Sequence, residues 1–168
     1  MLFDNCGRPT QNLRISLTQR CNLRCVYCHR EGQFPGAIMP EMKADEVIRI
    51  ARMAVSLGMT RIKLTGGEPL LRHDIVVIVH GLAIIPGITD LAMTTNGTQL
   101  SRLAEPLRQA GLMRVNINLP TLDPKTYSIL NGGDLNDVLN GVGSAVKSGL
   151  YPVKLNMLVL RDVNADDI

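Results

Sequence analysis

The chain has 168 residues, enough for one domain with a substantial core. Its net charge of +3 comes from 18 basic and 15 acidic residues, a balance too mild to indicate a nucleic-acid partner. No apolar run is long enough to span a bilayer and none reads as a signal peptide, so we expect a cytoplasmic protein with neither membrane nor nucleic acid as a partner.

Short strand-like runs alternate with helical patterns along the chain, which is the rhythm of a parallel α/β sheet. The five predicted strands cover residues 13–18, 61–65, 90–95, 114–119 and 153–160. The four predicted helices cover residues 42–57, 73–83, 101–110 and 135–147. Ser101 is the predicted cap of the third helix, and a loop is predicted at 31–40. The pattern therefore predicts a single α/β domain over residues 1–168.

The first predicted strand runs into a loop that carries three of the four cysteines. Cys21, Cys25 and Cys28 have CxxxCxxC spacing, which brings three thiolates around one small volume. A 4Fe–4S cluster normally takes four cysteines, so three would leave one iron open to a chelating ligand. A zinc site completed by His29 is the main alternative, although adjacent side chains rarely ligate one ion in a tight tetrahedral site. Cys6 lies apart from the triad and is not expected to be a ligand.

Polar and apolar side chains alternate along the predicted strands. A parallel sheet covered on both faces would be nearly all apolar, so the polar face is expected to line the interior of an open, barrel-like sheet. The cations on that face are Arg14, Arg61, Lys63 and Lys154. Cations that converge in one cavity repel each other unless an anion joins them, which indicates a polyphosphate or polycarboxylate ligand. The alternative is a sheet with one solvated face, on which these charges have no function.

Two further loops follow strands at the same edge of the predicted sheet. Gly66, Gly67, Glu68 and Pro69 follow the second strand, and a Thr-Thr-Asn-Gly run at 94–97 follows the third. The two glycines would allow the backbone to approach a ligand closely. Ligands of parallel α/β folds bind at the carboxyl ends of the strands. Each loop alone is common turn chemistry, but together with the cysteine loop they predict a binding site.

The CxxxCxxC loop resembles the signature of radical S-adenosylmethionine (SAM) enzymes, in which the amino and carboxylate groups of SAM occupy the open iron. Further matching runs lie at residues 7–9, 13–18, 65–72, 94–97 and 121–123. Across these runs the chain is similar to the molybdenum cofactor biosynthesis family of GTP 3',8-cyclases, in its archaeal branch. The resemblance implies a partial open (β/α) barrel of the radical SAM type, with a 4Fe–4S cluster and SAM as cofactors.

The resemblance also implies roles for individual residues. The cluster ligands would be Cys21, Cys25 and Cys28. The positions that match SAM contacts are Tyr27, Gly66, Gly67, Glu68 and Asn118, and the asparagine stands where the family usually has serine. The positions that match nucleotide contacts are Arg14, Lys63, Thr94 and Lys154. All four lie on the polar face that strand alternation assigns to the barrel interior.

The implied reaction converts GTP to (8S)-3',8-cyclo-7,8-dihydroguanosine 5'-triphosphate through a 5'-deoxyadenosyl radical from SAM. A reductant protein such as a ferredoxin or flavodoxin would supply the electron, and a homodimer is considered as the assembly. The alternatives are a radical SAM enzyme that acts on a peptide or small anion, and a non-catalytic iron–sulfur fragment. The family continues to a second cysteine triad that this sequence lacks, so we expect a truncated domain whose exposed edge at 153–160 self-associates.

Overall fold

The computed structural model describes residues 2–28 and 40–167, in which strands and helices alternate. The strands are β1 (Asn12–Ser16), β2 (Arg61–Thr65), β3 (Asp90–Thr95), β4 (Arg114–Asn118) and β5 (Val153–Asn156). The α-helices are α1 (Ala44–Ser56), α2 (Ile75–Ala83), α3 (Leu100–Gln109), α4 (Pro124–Asn131) and α5 (Leu135–Lys147). Short 3-10 helices lie at Pro69–Leu71 and Ala165–Asp167.

All five strands form one parallel sheet in the order β1-β2-β3-β4-β5. Helices connect successive strands and cover the apolar face of the sheet, as parallel crossovers require. The buried core lies between this face and the helices, and its members include Ile15, Leu64, Met93, Ile117, Val47, Ile78, Leu107 and Val138. The opposite face carries the polar side chains. The prediction of an α/β fold with an open, partial barrel of five parallel strands is thus confirmed.

The structure has a fifth α-helix, α4, where the sequence patterns predict none. Asp123 caps it by accepting a hydrogen bond from the backbone N–H of Thr126 (2.7 Å). Pro124 occupies the first position, and Gly132 ends the helix in the left-handed conformation at φ +72°. Eight residues are too few to display the apolar periodicity that predicts the longer helices. The residues at its two ends, Asp123, Pro124 and Gly132, were the sequence signal from which α4 could have been predicted.

β5 is shorter than the strand predicted at 153–160. The chain leaves the sheet after Asn156 because the buried side chain of Asn164 binds the backbone that follows. Its oxygen accepts a hydrogen bond from the N–H of Leu160 (2.7 Å), and its nitrogen donates to the carbonyl of Pro120 (2.6 Å). These bonds hold the segment after β5 against the loop after β4. The predicted eight-residue strand is therefore wrong, and the observed strand has four residues.

The remaining differences are small. α3 begins at Leu100 with Gln99 as its cap, so the prediction that Ser101 caps this helix is wrong. Other predicted element ends differ from the observed ones by no more than two residues. The loop predicted at 31–40, apart from its last residue, and His29 of the zinc alternative lie outside the described residues. No helix in the described part of the chain is long and apolar enough to cross a membrane.

Arg72 ties together the segments that flank the cysteine loop, and only 4% of it is exposed. Its guanidinium donates hydrogen bonds to the carbonyls of Leu17 (3.0 Å) and Met42 (2.8 Å). It also forms a two-pronged pair with Asp74 at 2.8 and 2.7 Å, and these bonds hold the pKa of Asp74 below its ordinary value. The end of β1, the approach to α1 and the start of α2 therefore meet at one guanidinium.

We expect Arg72→Ala to lower the free energy of unfolding by roughly 2–4 kcal/mol, because it leaves Asp74 without its partner and two carbonyls without a donor. Urea denaturation followed by circular dichroism measures the change. The matched control is Arg102→Ala, since Arg102 contacts Gln99 on the exposed surface of α3, and it should alter stability by about 0.5 kcal/mol or less. Equal stability of the two variants would contradict the role assigned to Arg72.

Candidate functional site

A polar cavity of about 920 Å³ extends from the carboxyl ends of the strands into the concave face of the sheet. Its lining combines the cysteine loop with side chains from all five strands. The predicted site residues in the lining are Cys21, Cys25, Cys28, Tyr27, Gly66, Gly67, Asn118, Arg14, Lys63 and Thr94. Two other predicted site residues, Glu68 and Lys154, are not part of this lining. The polar face of the sheet thus borders a cavity that also contains the three thiols.

The three clustered cysteines are free thiols, as is the exposed Cys6. Burial raises the pKa of Cys25, the nearby Tyr27 hydroxyl partly offsets this effect, and the charges of Cys21 and Cys28 raise the pKa further. In residues 2–28 and 40–167, no group of three or more His, Cys, Asp or Glu side chains is arranged to hold one metal ion. The ligands of tetrahedral zinc lie within about 4 Å of one another, because each Zn–S bond is about 2.3 Å. The zinc alternative also needs His29, which lies outside the described residues.

The cysteine loop is attached to the C-terminal end of α4. The backbone N–H groups of Arg24 and Val26 donate to the carbonyls of Asn131 (3.0 Å) and Leu130 (2.8 Å). The last carbonyls of a helix have no partner within the helix, so they are available as acceptors for a loop. The helix that the sequence patterns do not predict therefore provides two of the contacts that position the cysteines.

Tyr27 holds the same loop through its side chain. Its hydroxyl donates to Oδ1 of Asn131 (2.9 Å) and accepts a hydrogen bond from Nδ2 of Asn118 (2.8 Å). Burial raises the pKa of Tyr27 well above its ordinary value, so the hydroxyl keeps the proton that it donates. Asn118 uses its amide nitrogen on Tyr27, which leaves its side-chain oxygen as an acceptor in the cavity wall.

Gly66 and Gly67 pack against the backbone just before the cysteine loop. The N–H of Gly67 donates to the carbonyl of Thr18, and the N–H of Glu68 donates to the carbonyl of Arg20, both at 2.7 Å. A Cβ on Gly67 would lie 2.3 Å from the carbonyl oxygen of Arg20, and one on Gly66 would lie 2.6 Å from that of Thr18. The close approach that requires glycine is therefore to neighbouring backbone, while both residues also line the cavity.

Glu68 is fully buried and joins the loops that follow β2 and β3. Its carboxylate accepts hydrogen bonds from the N–H of Leu70 (3.0 Å), the hydroxyl of Thr95 (2.7 Å) and the N–H of Asn96 (2.7 Å). Burial raises the pKa of Glu68, and the three donors partly offset this effect by favouring the ionised form. The side chain therefore supports the site from outside the cavity.

Asn96 connects this support to the first cysteine. Its amide nitrogen donates to Oδ1 of Asn22 (2.9 Å) and lies 3.9 Å from Sγ of Cys21. Its side-chain oxygen accepts hydrogen bonds from the N–H (3.0 Å) and hydroxyl (2.8 Å) of Thr98. Neither Asn22 nor Thr98 is predicted as a site residue, because single Asn and Thr residues beside turns are too common to indicate a partner.

Cationic side chains from neighbouring strands meet deeper in the barrel. Arg14 on β1 lies in register with Lys63 on β2. Burial, and then the positive charges of Arg114 and Arg14, lower the pKa of Lys63. Lys154 contributes a smaller effect from β5, where it lies opposite Asn116. The predicted nucleotide-contacting cations therefore share one electrostatic field, although Lys154 lies outside the main cavity lining.

A second cavity, of about 240 Å³, opens at the amino ends of the strands. Its charged lining residues are Arg14, Arg61, Lys63, Asp90 and Arg114. Arg114 donates to both oxygens of Asp90, from Nε at 2.8 Å and from Nη2 at 2.6 Å, and these bonds lower the pKa of Asp90. Neither member of this ion pair is predicted as a site residue. The signal for them was the same strand alternation that places both on the polar face.

Residues 15–168 match the family model described as the Radical SAM superfamily. A probable GTP 3',8-cyclase of Pyrococcus abyssi is 54% identical over 100% of this chain and 54% of its own length. A GTP 3',8-cyclase of Acidothermus cellulolyticus is 46% identical over 98% of this chain and 48% of its own length. The chain spans about half the length of these curated relatives.

Solved structures share the fold. Streptococcus suis SuiB bound to S-adenosylmethionine has a TM-score of 0.78 at 21% identity, over 90% of this chain and 35% of SuiB. Methylornithine synthase has a TM-score of 0.71 at 18% identity, over 88% of this chain and 44% of the synthase. At these identities the similarity concerns the fold alone.

We expect Glu68→Gln to lower the free energy of unfolding by about 1–3 kcal/mol, because an amide donor would replace an acceptor oxygen and leave a buried N–H unpaired. The midpoint and slope of urea denaturation give this value. Glu105→Gln is the matched control, since Glu105 contacts Gln109 on the exposed face of α3 and the change should be nearly neutral. A Glu68→Gln variant as stable as this control would show that Glu68 does not stabilise the loops after β2 and β3.

Proposed function

The chain belongs to the radical SAM superfamily, and we propose on this basis that it forms the cluster-binding and substrate-binding barrel of a GTP 3',8-cyclase. The observation that supports this most is that three cysteine thiols and the interior cations Arg14 and Lys63 line one continuous cavity. A cofactor at the thiols and a polyanion at the cations would therefore meet in the same space.

The superfamily uses a 4Fe–4S cluster together with SAM. We assign the cluster to Cys21, Cys25 and Cys28, which leaves one iron for the amino and carboxylate groups of SAM. When bound, these cofactors supply a 5'-deoxyadenosyl radical that abstracts hydrogen from the substrate. The chain's own contribution is to hold the cysteine loop in place through α4 and Asn96, so that the thiols are positioned before the cofactor arrives.

For SAM we propose a place between the glycine turn and β4. Gly66 and Gly67 line the cavity beside the cysteine loop, and Asn118 contributes its free amide oxygen from β4. Tyr27 would contact SAM through its backbone, because its hydroxyl is already bonded on two sides. Glu68 would act indirectly, since it is fully buried outside the cavity lining and its carboxylate already accepts three hydrogen bonds.

The triphosphate of GTP is assigned to the barrel interior, near Arg14 and Lys63, with Thr94 in the cavity wall and Lys154 on β5. Burial lowers the pKa of Lys63 most, and the positive charges around it lower the pKa further. An anion bound among these cations would relieve their repulsion. Of the two alternative substrates, a peptide and a small anion, this charge pattern disfavours the peptide. We also predict that a ferredoxin or flavodoxin is the reductant and that the chain forms a homodimer.

The cluster assignment predicts the outcome of anaerobic reconstitution with iron and sulfide. The chain should bind about four irons, and the paramagnetic resonance of the reduced protein should change when SAM is added. Cys25→Ala should lose the cluster, whereas Cys6→Ala, at an exposed thiol outside the triad, should keep it. Stoichiometric zinc without iron uptake would contradict the assignment.

The substrate assignment predicts weaker GTP binding when an interior cation is removed. Arg14→Ala and Lys154→Ala should each cost about 1.5–3 kcal/mol, roughly ten- to a hundredfold in dissociation constant, because a charge-assisted contact is lost. Isothermal titration calorimetry measures the constants. Arg52→Ala removes an exposed cation from α1 and serves as the control. Wild-type GTP affinity in both interior variants would exclude this pocket.

A further inference from the structure

Among residues 2–28 and 40–167, Asp90 is the one carboxylate in the lining of the two cavities. It is the first residue of β3 and lies in register with Arg61 on β2. Its two oxygens accept hydrogen bonds from one guanidinium, that of Arg114 on β4. The positive charges of Arg61 and Lys63 also act on it. Asp90 is thus an internal counter-ion for the cations of the barrel interior.

The strand register explains why the cations are close enough to need a counter-ion. Arg14, Lys63 and Arg114 lie at one level of the sheet, with Ala92 between the last two. Ala92 has a small side chain, and across it the positive charge of Arg114 acts on Lys63. Asp90 lies two residues before Ala92 on the same face of β3, and its carboxylate binds the guanidinium of Arg114.

Arg114 has little capacity left for a ligand. Its Nε and one terminal nitrogen are directed at Asp90, and Nη1 lies 3.4 Å from Oδ1 of Asn116. A guanidinium that is bonded along one edge to a carboxylate has most of its charge compensated. On the described strands, the other cations of the polar face are Arg14, Arg61, Lys63 and Lys154.

We propose that Asp90 is a specificity residue. By binding the guanidinium of Arg114 it keeps that cation from the ligand, so that the charge of the barrel interior matches a triphosphate rather than a more highly charged polyphosphate chain. This inference rests on the proposed function. The strands contribute five cations to the polar face, Arg14, Arg61, Lys63, Arg114 and Lys154, and with Asp90 counted they leave a net of four positive charges; Arg24 of the cysteine loop, which lines the larger cavity, is not among them. A nucleoside triphosphate carries about four negative charges at neutral pH, because the second ionisation of a phosphate has a pKa near 6.

The test measures binding of inorganic tripolyphosphate and tetrapolyphosphate by calorimetry at fixed ionic strength. In Asp90→Asn, Arg114 is released, so the preference should shift toward tetrapolyphosphate by about tenfold, the effect of one charge-assisted contact. Asp45→Asn removes the same charge from the first turn of α1, outside the barrel, and should leave the preference unchanged. An unchanged preference in Asp90→Asn, or weaker binding of both anions, would overturn the proposal.

Two further variants separate charge compensation from a purely structural tie between β3 and β4. Arg114→Gln should weaken tripolyphosphate binding about tenfold, because it leaves Asp90 uncompensated. The double variant Asp90→Asn/Arg114→Gln should bind like the wild type, since the net interior charge is restored. A double variant as impaired as Arg114→Gln would show that the pair is structural. Polyphosphates carry no guanosine, so failure to bind GTP with this pattern intact would refute the GTP assignment alone.

Discussion

The structure depends on how the backbone of the cysteine loop is satisfied. This loop has no regular secondary structure, so its N–H and C=O groups need partners from elsewhere in the chain. The C-terminal carbonyls of α4 accept from Arg24 and Val26, and the glycine turn donates to the carbonyls of Thr18 and Arg20. These two sets of bonds hold the loop from both sides. The position of the three thiols at the mouth of the barrel follows from them.

The barrel interior obeys a second constraint, which is electrostatic. An open parallel sheet can carry polar residues on its concave face only where a cavity solvates them or a ligand binds them. Here the face holds more cations than carboxylates, and the lowered pKa of Lys63 reflects burial first and then its cationic neighbours. Asp90 compensates part of this charge within the protein, which leaves the rest for an anionic ligand.

Much of the architecture could be predicted from the sequence, because strand alternation and helical periodicity are local signals. The same alternation indicated which side chains face the cavity. The sequence patterns did not predict α4, because this helix is short. They did not predict the turn at Asn164 either, because it depends on a hydrogen bond to the distant carbonyl of Pro120. A motif also identifies residues without showing what they touch. Glu68 belongs to such a motif, yet it is not part of the cavity lining and its carboxylate binds protein donors.

A cluster held by Cys21, Cys25 and Cys28 would have its open iron beside the cavity proposed for SAM, and one spectroscopic measurement tests this directly. Electron–nuclear double resonance would be recorded on the reduced, reconstituted protein with SAM labelled isotopically in its amino nitrogen and carboxylate oxygens. We predict hyperfine coupling from both labels, because both groups would ligate the iron that Cys21, Cys25 and Cys28 leave free. SAM that binds without coupling from either label would contradict the account.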